Sequence, residues 1–227
     1  MYTLHIGNKN YSSWSLRPWL VLKALDIPFE EVMHRFGFPE DWEDYRRANP
    51  PGLVPCLHDG ELPVWDSQAI VEYLAEQHEG VWPADKTARA WARCATAEMH
   101  SGFSVLRNFC SMSCGQRVEL NEVTPALAKD IKRVDALWQE GLSRFGGPFL
   151  AGAEFSAVDA FYAPVVFRFQ TYGIALSDSA AAYVERMLKY PPMVDWYEDA
   201  LKESFRDDAH EIEIREFGRI TDDFRQE

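Results

Sequence analysis

The sequence predicts an α/β unit in its first third, followed by a region that is helical throughout. Short stretches alternating apolar and polar residues are confined to the beginning of the chain. Beyond residue 90, apolar residues recur only at helical spacings of three and four. The two regimes meet at VWPADKTARA (81–90), where proline and polar residues interrupt both patterns. With 227 residues, of which 47% are hydrophobic and 14% aromatic, the chain is long enough for one large or two small cores. The break divides it into 1–80 and 87–227.

YTLHIG (2–7) alternates as a half-buried strand does. A helix follows, from about Ser15 to Leu25, with Leu16, Trp19 and Leu20 on one face. Pro18 fits only if that helix has just begun, because a first-turn amide has no intrahelical bond to lose. The serines of NYSSWS (10–15) therefore stand at a helix N-terminus, where free amides and the dipole favour negative charge. IPFEEVMHRF (27–36) reads as a second strand, and PEDWEDYRRANP (39–50) as a short acidic helix stopped by Asn49-Pro50. VPCLH and ELPVW flank the turn pair Asp59-Gly60 as a hairpin, and SQAIVEYLAEQH (67–78) is an amphipathic helix.

Past the break, helices are expected at 87–112, 123–145, 156–172, 179–189 and 191–204. Ser156 with Asp159 three residues on is a capping pair, and Phe155 before it can staple against Ala160 or its neighbours. From Arg206 onward the chain is charged and expected to be partly loose.

Composition excludes several function classes. A net charge of −13 with no basic cluster repels nucleic acid and anionic membranes. Apolar runs are too short to span a bilayer, and MYTLHIGNKN lacks a secretory pattern, so a cytoplasmic protein is expected. Cys56, Cys94, Cys110 and Cys114 show no framework spacing and are read as reduced thiols. The histidines have no HxxxH spacing, and no metal is expected.

Three motifs, SSWS (12–15), NPPGLVP (49–55) and DSQAIVEYL (66–74), set in a β-α-β-α-β-β-α unit before a helical region, resemble the cytosolic glutathione transferase superfamily. The SAVD box (156–159) matches the helix cap usual in that superfamily's second domain. The resemblance covers nearly the whole chain and implies a thioredoxin-like glutathione-binding domain with a cis Pro55, an all-helical domain with an electrophile pocket, and a homodimer. It implies that Val54 meets the cysteinyl part of glutathione through its backbone. Asp66 and Ser67 would receive the γ-glutamyl end, assisted by helix amides.

SSWSLRPWLVLKALDIPF (12–29) aligns without gaps to the zeta-class pattern SSCSWRVRIALALKGIDY. On that match Ser12 contacts the glutathione sulfur, favouring thiolate over thiol while staying neutral itself. Asn10 and Tyr11 are alternatives for the contact, since loop length decides which group faces the ligand. Ser13 and Ser15 are read as caps. Trp14 replaces the pattern's cysteine, which argues against isomerase activity like that of maleylacetoacetate isomerases and against thiol-disulfide exchange. At Gly52-Leu53 many relatives carry a polar side chain instead.

Met99, His100, Phe103 and Arg107 form a stripe in AEMHSGFSVLRNF that either packs the core or lines the electrophile pocket. Arg17 is read as a buried or domain-bridging guanidinium. The expected function is glutathione conjugation to a small hydrophobic electrophile. The alternatives are a glutathione-transferase-like binding protein without the chemistry, or a glutathione-dependent isomerase or dehalogenase.

Overall fold

Alternation builds the first sheet. Tyr2, Leu4 and Ile6 of strand β1 (Tyr2–Ile6) point into the core, while Thr3 and His5 face the other side. In the computed structural model, which describes residues 1–49 and 52–226, β1 pairs in parallel with β2 (Phe29–Met33) and antiparallel with β3 (Cys56–Asp59). Strand β4 (Leu62–Trp65) completes the expected hairpin, although Asp59 pairs with Leu62 and the two-residue turn is Gly60-Glu61 rather than Asp59-Gly60; the mixed sheet has the order β2-β1-β3-β4. Helices α1 (Ser13–Ala24) and α3 (Ser67–Ala75) bury Leu16, Leu20, Ile70, Val71 and Leu74 against Leu4 and Ile6. The opposite face carries His5, His34 and His58, stacked on one another and on Tyr45 of α2 (Glu40–Ala48). Pro50 and Pro51, the expected stop of α2 and part of the NPPGLVP motif, lie outside the described residues. The Val54–Pro55 peptide is cis, as the resemblance implies.

Helices α4 (Lys86–Ser101), α5 (Ser104–Phe109), α6 (Pro125–Phe145), α7 (Ala157–Thr171), α8 (Asp178–Leu188) and α9 (Pro191–Lys202) follow. Helix α7 is buried on all sides, as its nearly continuous apolar sequence requires of a central helix. Its start is the expected capping pair: Asp159 Oδ2 accepts the Ser156 amide at 3.0 Å. Asp159 Oδ1 also accepts the Leu150 amide at 2.9 Å and the Tyr183 hydroxyl at 3.0 Å. Phe155, just before the helix, stacks on Tyr190 with ring centroids 5.0 Å apart. The architecture is a thioredoxin-like α/β unit joined to a helical region.

Four local expectations are corrected. Helix α1 begins at Ser13, so Pro18 lies inside it, beyond the first turn. The helix expected over 87–112 breaks at Gly102 and at Phe103, which adopts a left-handed φ of 56°. The region beyond residue 90 is not helical throughout: β5 (Gln116–Leu120) pairs antiparallel with β6 (Gly218–Asp223). Two-stranded ribbons are marginal alone, and this one is anchored by Val118 in the core and by Gly218, where any Cβ would strike Val118 and the Glu119 carbonyl. The expected loose end instead forms α10 (Asp208–Phe217), capped by Asp207, and then β6. Among the described residues no helix is long and apolar enough to cross a membrane.

Candidate functional site

The loop from Gly7 to Ser12 connects β1 to α1 and is held from the helical side. The Lys9 and Asn10 amides donate to the buried Glu203 carboxylate at 2.5 and 3.3 Å. The Asn10 side chain donates to Glu203 and the Ala200 carbonyl and accepts the Gly115 amide. The Tyr11 hydroxyl donates to Glu211 at 2.6 Å and accepts from Arg225 at 2.9 Å. Burial, then the bond to Glu211, pushes the Tyr11 hydroxyl far above its ordinary pKa. Both alternatives to Ser12 are therefore committed to structural partners.

Ser12 is the residue before α1, yet its side chain caps no helix amide. Its Oγ lies 2.7 Å from Ser15 Oγ, which accepts the Gly7 amide at 3.1 Å. Ser15 thus ties β1 to α1 rather than capping the helix, which corrects its reading from sequence. A serine hydroxyl has one proton and two acceptor positions. Here the Ser12 hydroxyl donates to Ser15; if the pair turns over so that Ser15 donates, the Ser12 proton is free for another acceptor.

Two cavities adjoin this point. One, of about 550 Å³, is lined by Trp14, Leu53, Val54, Pro55, Trp65, Asp66 and Ser67. The other, of about 320 Å³, has Tyr11, Ser12, Arg107, Arg168, His210 and Glu213 in its wall. Trp14, Leu53 and Val54 line both. Asp66 caps α3, accepting the Gln68 and Ala69 amides, from a backbone φ of 72° that is costly for a residue with a side chain. Ser67 is buried and accepts from Arg17 at 3.3 Å. The fold brings the expected residues Ser12, Val54, Pro55, Asp66, Ser67 and Arg107 to adjoining walls.

Of the helical stripe, Met99 and Phe103 are buried in the core and line neither cavity, because the chain turns between them and Arg107. His100 stands beside Asp66, with Nε2 to Oδ2 at 3.5 Å, and presents its ring edge-on to Trp14. Burial lowers its pKa, as do Arg17 and Arg107, against an opposing pull from Asp66.

The wall between the cavities is a cation–π stack that sequence reasoning misses. The Arg17 guanidinium lies 4.0 Å from the Trp14 ring centroid and that of Arg107 4.7 Å. Burial first, then Arg107 and Arg168, pulls Arg17 down to about 9, leaving it charged at neutral pH. Among the described residues Arg17, Arg107 and Arg168 form no salt bridge, although the chain as a whole carries −13. Arg168 Nε is buried without a partner. Tyr11, His210, Phe36 and Trp42 add a run of stacked rings along the smaller cavity.

A family model for the glutathione S-transferase N-terminal domain matches residues 11–77, and one for the C-terminal domain matches 121–199. A glutathione S-transferase-like protein of Beauveria bassiana (strain ARSEF 2860) is 32% identical over 175 residues, covering 71% of this chain and 76% of the relative. The chain belongs to the glutathione S-transferase family. A zeta class glutathione S-transferase of Euphorbia esula is 30% identical over 157 residues, 68% of this chain and 69% of that one, in accord with the zeta-like pattern at 12–29. The structure of a glutathione transferase homolog from Burkholderia gl BGR1, solved with bound glutathione, shares the fold. Its TM-score is 0.66 at 21% identity, covering 88% of this chain and 97% of that one.

This glutathione S-transferase draws several wall residues from places the sequence does not mark. His210 and Glu213 come from α10, in the stretch expected to be loose. The Asp207 cap, whose carboxylate accepts the His210 amide, was the available signal for a helix there.

Proposed function

We propose that this glutathione S-transferase joins the thiolate of glutathione to a small electrophile. The observation that carries the reading is the pair of cavities meeting at Trp14 and Val54, with Ser12 in one wall and Asp66 and Ser67 in the other. Residues 1–80 then form the glutathione-binding domain and 87–227 the domain that completes the electrophile pocket. In the larger cavity Asp66 holds the ammonium of the γ-glutamyl group and Ser67 its carboxylate, near the α3 amides. Val54 offers its backbone to the cysteinyl unit.

Glutathione's sulfur then lies at Ser12. A donated hydroxyl proton and the α1 N-terminus lower the free energy of the thiolate, which attacks the electrophile. Trp14 leaves this loop without a thiol of its own, so the reading stays with conjugation. Asp66→Ala is expected to abolish retention on immobilised glutathione while the variant still melts cooperatively. Undiminished retention would remove Asp66 from the site.

The smaller cavity suits an electrophile with a flat apolar body and an acidic group. Phe36, Trp42 and Trp14 supply the walls, and Arg107 and Arg168 supply charge without a salt-bridged carboxylate. A charged hydrogen bond is worth about 1.5–3 kcal/mol. Arg107→Met should therefore raise KM for an aryl electrophile bearing a carboxylate roughly tenfold or more. KM for its uncharged methyl ester should change little, and an equal rise for both compounds would refute the acidic-group assignment.

We also propose a two-fold homodimer. Leu62 and Trp65 on edge strand β4 are half exposed, as an isologous apolar contact would use them. Light scattering that returns only 26.1 kDa at micromolar protein would count against it.

A further inference from the structure

The C-terminal segment, which sequence composition presents as a charged tail, encloses the loop that ends in Ser12. Strand β6 runs against β5, and Arg225 just beyond it turns inward over Gly115, where a Cβ would collide with the arginine stem. Its side chain is 3% exposed. It binds Glu211 of α10 and Asp223 through two nitrogens each, and donates to the Tyr11 hydroxyl at 2.9 Å. Glu211 accepts from Tyr11 at 2.6 Å, from Gln116 at 3.5 Å and from Arg215 at 3.3 Å.

Burial opposes the charged form of Glu211, but the bonds from Arg225 and Tyr11 outweigh it and its pKa falls. Arg206, Asp207, His210 and Glu213 complete the charged and titratable surroundings, with His210 stacked on the Tyr11 ring at 4.9 Å. Tyr11 is the residue before Ser12, and its ring lines the same cavity.

We propose that Glu211 and Arg225 are positioning residues for the sulfur site, fixing Tyr11 and the loop before Ser12 and balancing each other's charge beside the thiolate. This rests on the assignment of Ser12 as the sulfur contact. The pair supplies two opposite charges, so removing either one leaves a field of known sign. Without Arg225, the Glu211 and Asp223 carboxylates repel the thiolate and raise its pKa. Without the Glu211 charge, Arg225 attracts the thiolate and lowers it. For a unit charge roughly 10 Å away, at an effective dielectric between protein and water, the shift is about 0.3–1 pKa unit. General damage to the fold would move both variants the same way.

The test titrates the thiolate absorbance of the glutathione complex for the parent, Arg225→Met, Arg225→Lys, Glu211→Gln and Ser12→Ala. Arg225→Met should shift upward, Glu211→Gln downward, and Arg225→Lys should return most of the way to the parent. If Arg225→Met does not fold, the downward shift of Glu211→Gln alone decides, because Gln keeps the shape and loses only the charge. Shifts of the same sign, or no shift in either variant while Ser12→Ala moves, overturn the proposal. If Ser12→Ala leaves the pKa unmoved while the other two shift in opposite directions, the serine assignment falls and the role of the pair stands.

Discussion

Asp159→Ala should cost about 3–5 kcal/mol of stability and lower the melting temperature by roughly 10 °C. The carboxylate is fully buried and accepts hydrogen bonds from the Ser156 and Leu150 amides and the Tyr183 hydroxyl. Truncation leaves these donors inside the core with nothing to bind, at about 1–3 kcal/mol for each unsatisfied group that cannot recover water. The same site gives stability a pH dependence. Burial raises the Asp159 pKa from 3.8 to about 6, overriding the bonds that favour its charged form.

Between those values the folded state binds the proton and the unfolded state does not. The contribution is therefore complete below the unfolded value and is lost as pH rises through about 6, on the order of 3 kcal/mol in all. Asp159→Asn keeps an acceptor and loses the titration, so its melting temperature should flatten over that window and exceed that of the alanine variant. Thermal melts of the three proteins from pH 4 to 7 check both statements. A melting temperature for Asp159→Ala within 2 °C of the parent, taken as roughly 1 kcal/mol or less, would remove Asp159 as an anchor of the core.

The elements of the first sheet are legible because each carries a local signal. Tyr2, Leu4 and Ile6 alternate, the turn signal at Asp59-Gly60 falls one residue before the actual two-residue loop Gly60-Glu61, and Asp66 caps the helix it precedes. Ser156 and Asp159 mark the start of α7 for the same reason. The β5–β6 ribbon has no such signal. QRVEL and GRITDD are short and charged, and each becomes a strand only because the fold brings the other beside it from far along the chain.

The walls of the larger cavity, proposed to hold glutathione, include the Val54-Pro55 and Asp66-Ser67 motifs that the sequence marks, as backbone and cap geometry. Of the smaller cavity, apart from the walls it shares with the larger, only Ser12, Tyr11 and Arg107 were marked for the site by sequence. Arg107 reaches its cavity from a helix that begins after an unforeseen break, and Arg168 from the last turn of an apolar helix, where a cation reads as a partner of the helix dipole. Trp14 signalled only a missing cysteine, and its contact with two guanidiniums depends on packing across two helices, α1 and α5.

Ser12→Ala is expected to raise the pKa of the bound glutathione thiol by about one to two units, the equivalent of one charged hydrogen bond of about 1.5–3 kcal/mol. Turnover near neutral pH should fall roughly tenfold or more as the thiolate fraction drops. Glutathione affinity should change little, because Val54, Asp66 and Ser67 are proposed to hold the rest of the tripeptide. The geometry adds a second, graded effect. Ser15 Oγ receives the Gly7 amide and the Ser12 hydroxyl at 2.7 Å; once the Ser12 proton turns to the sulfur, the Ser15 hydroxyl can donate in its place, giving a chain of donors from the Gly7 amide through Ser15 and Ser12.

Each donor in such a chain polarises the next. Ser15→Ala should therefore shift the thiolate pKa in the same direction by a smaller amount and also cost stability, since the Gly7 amide is buried without its partner. Ser13→Ala lies outside the chain and should leave the pKa unchanged. Titrating thiolate absorbance in the three variants, with Tyr11→Phe beside them, separates the readings. The order Ser12, Ser15, Ser13 in decreasing shift is the signature of the relay. A Ser15→Ala shift equal to that of Ser13→Ala would reduce Ser15 to a structural tie, and a shift in Tyr11→Phe larger than in Ser12→Ala would move the sulfur contact to the tyrosine.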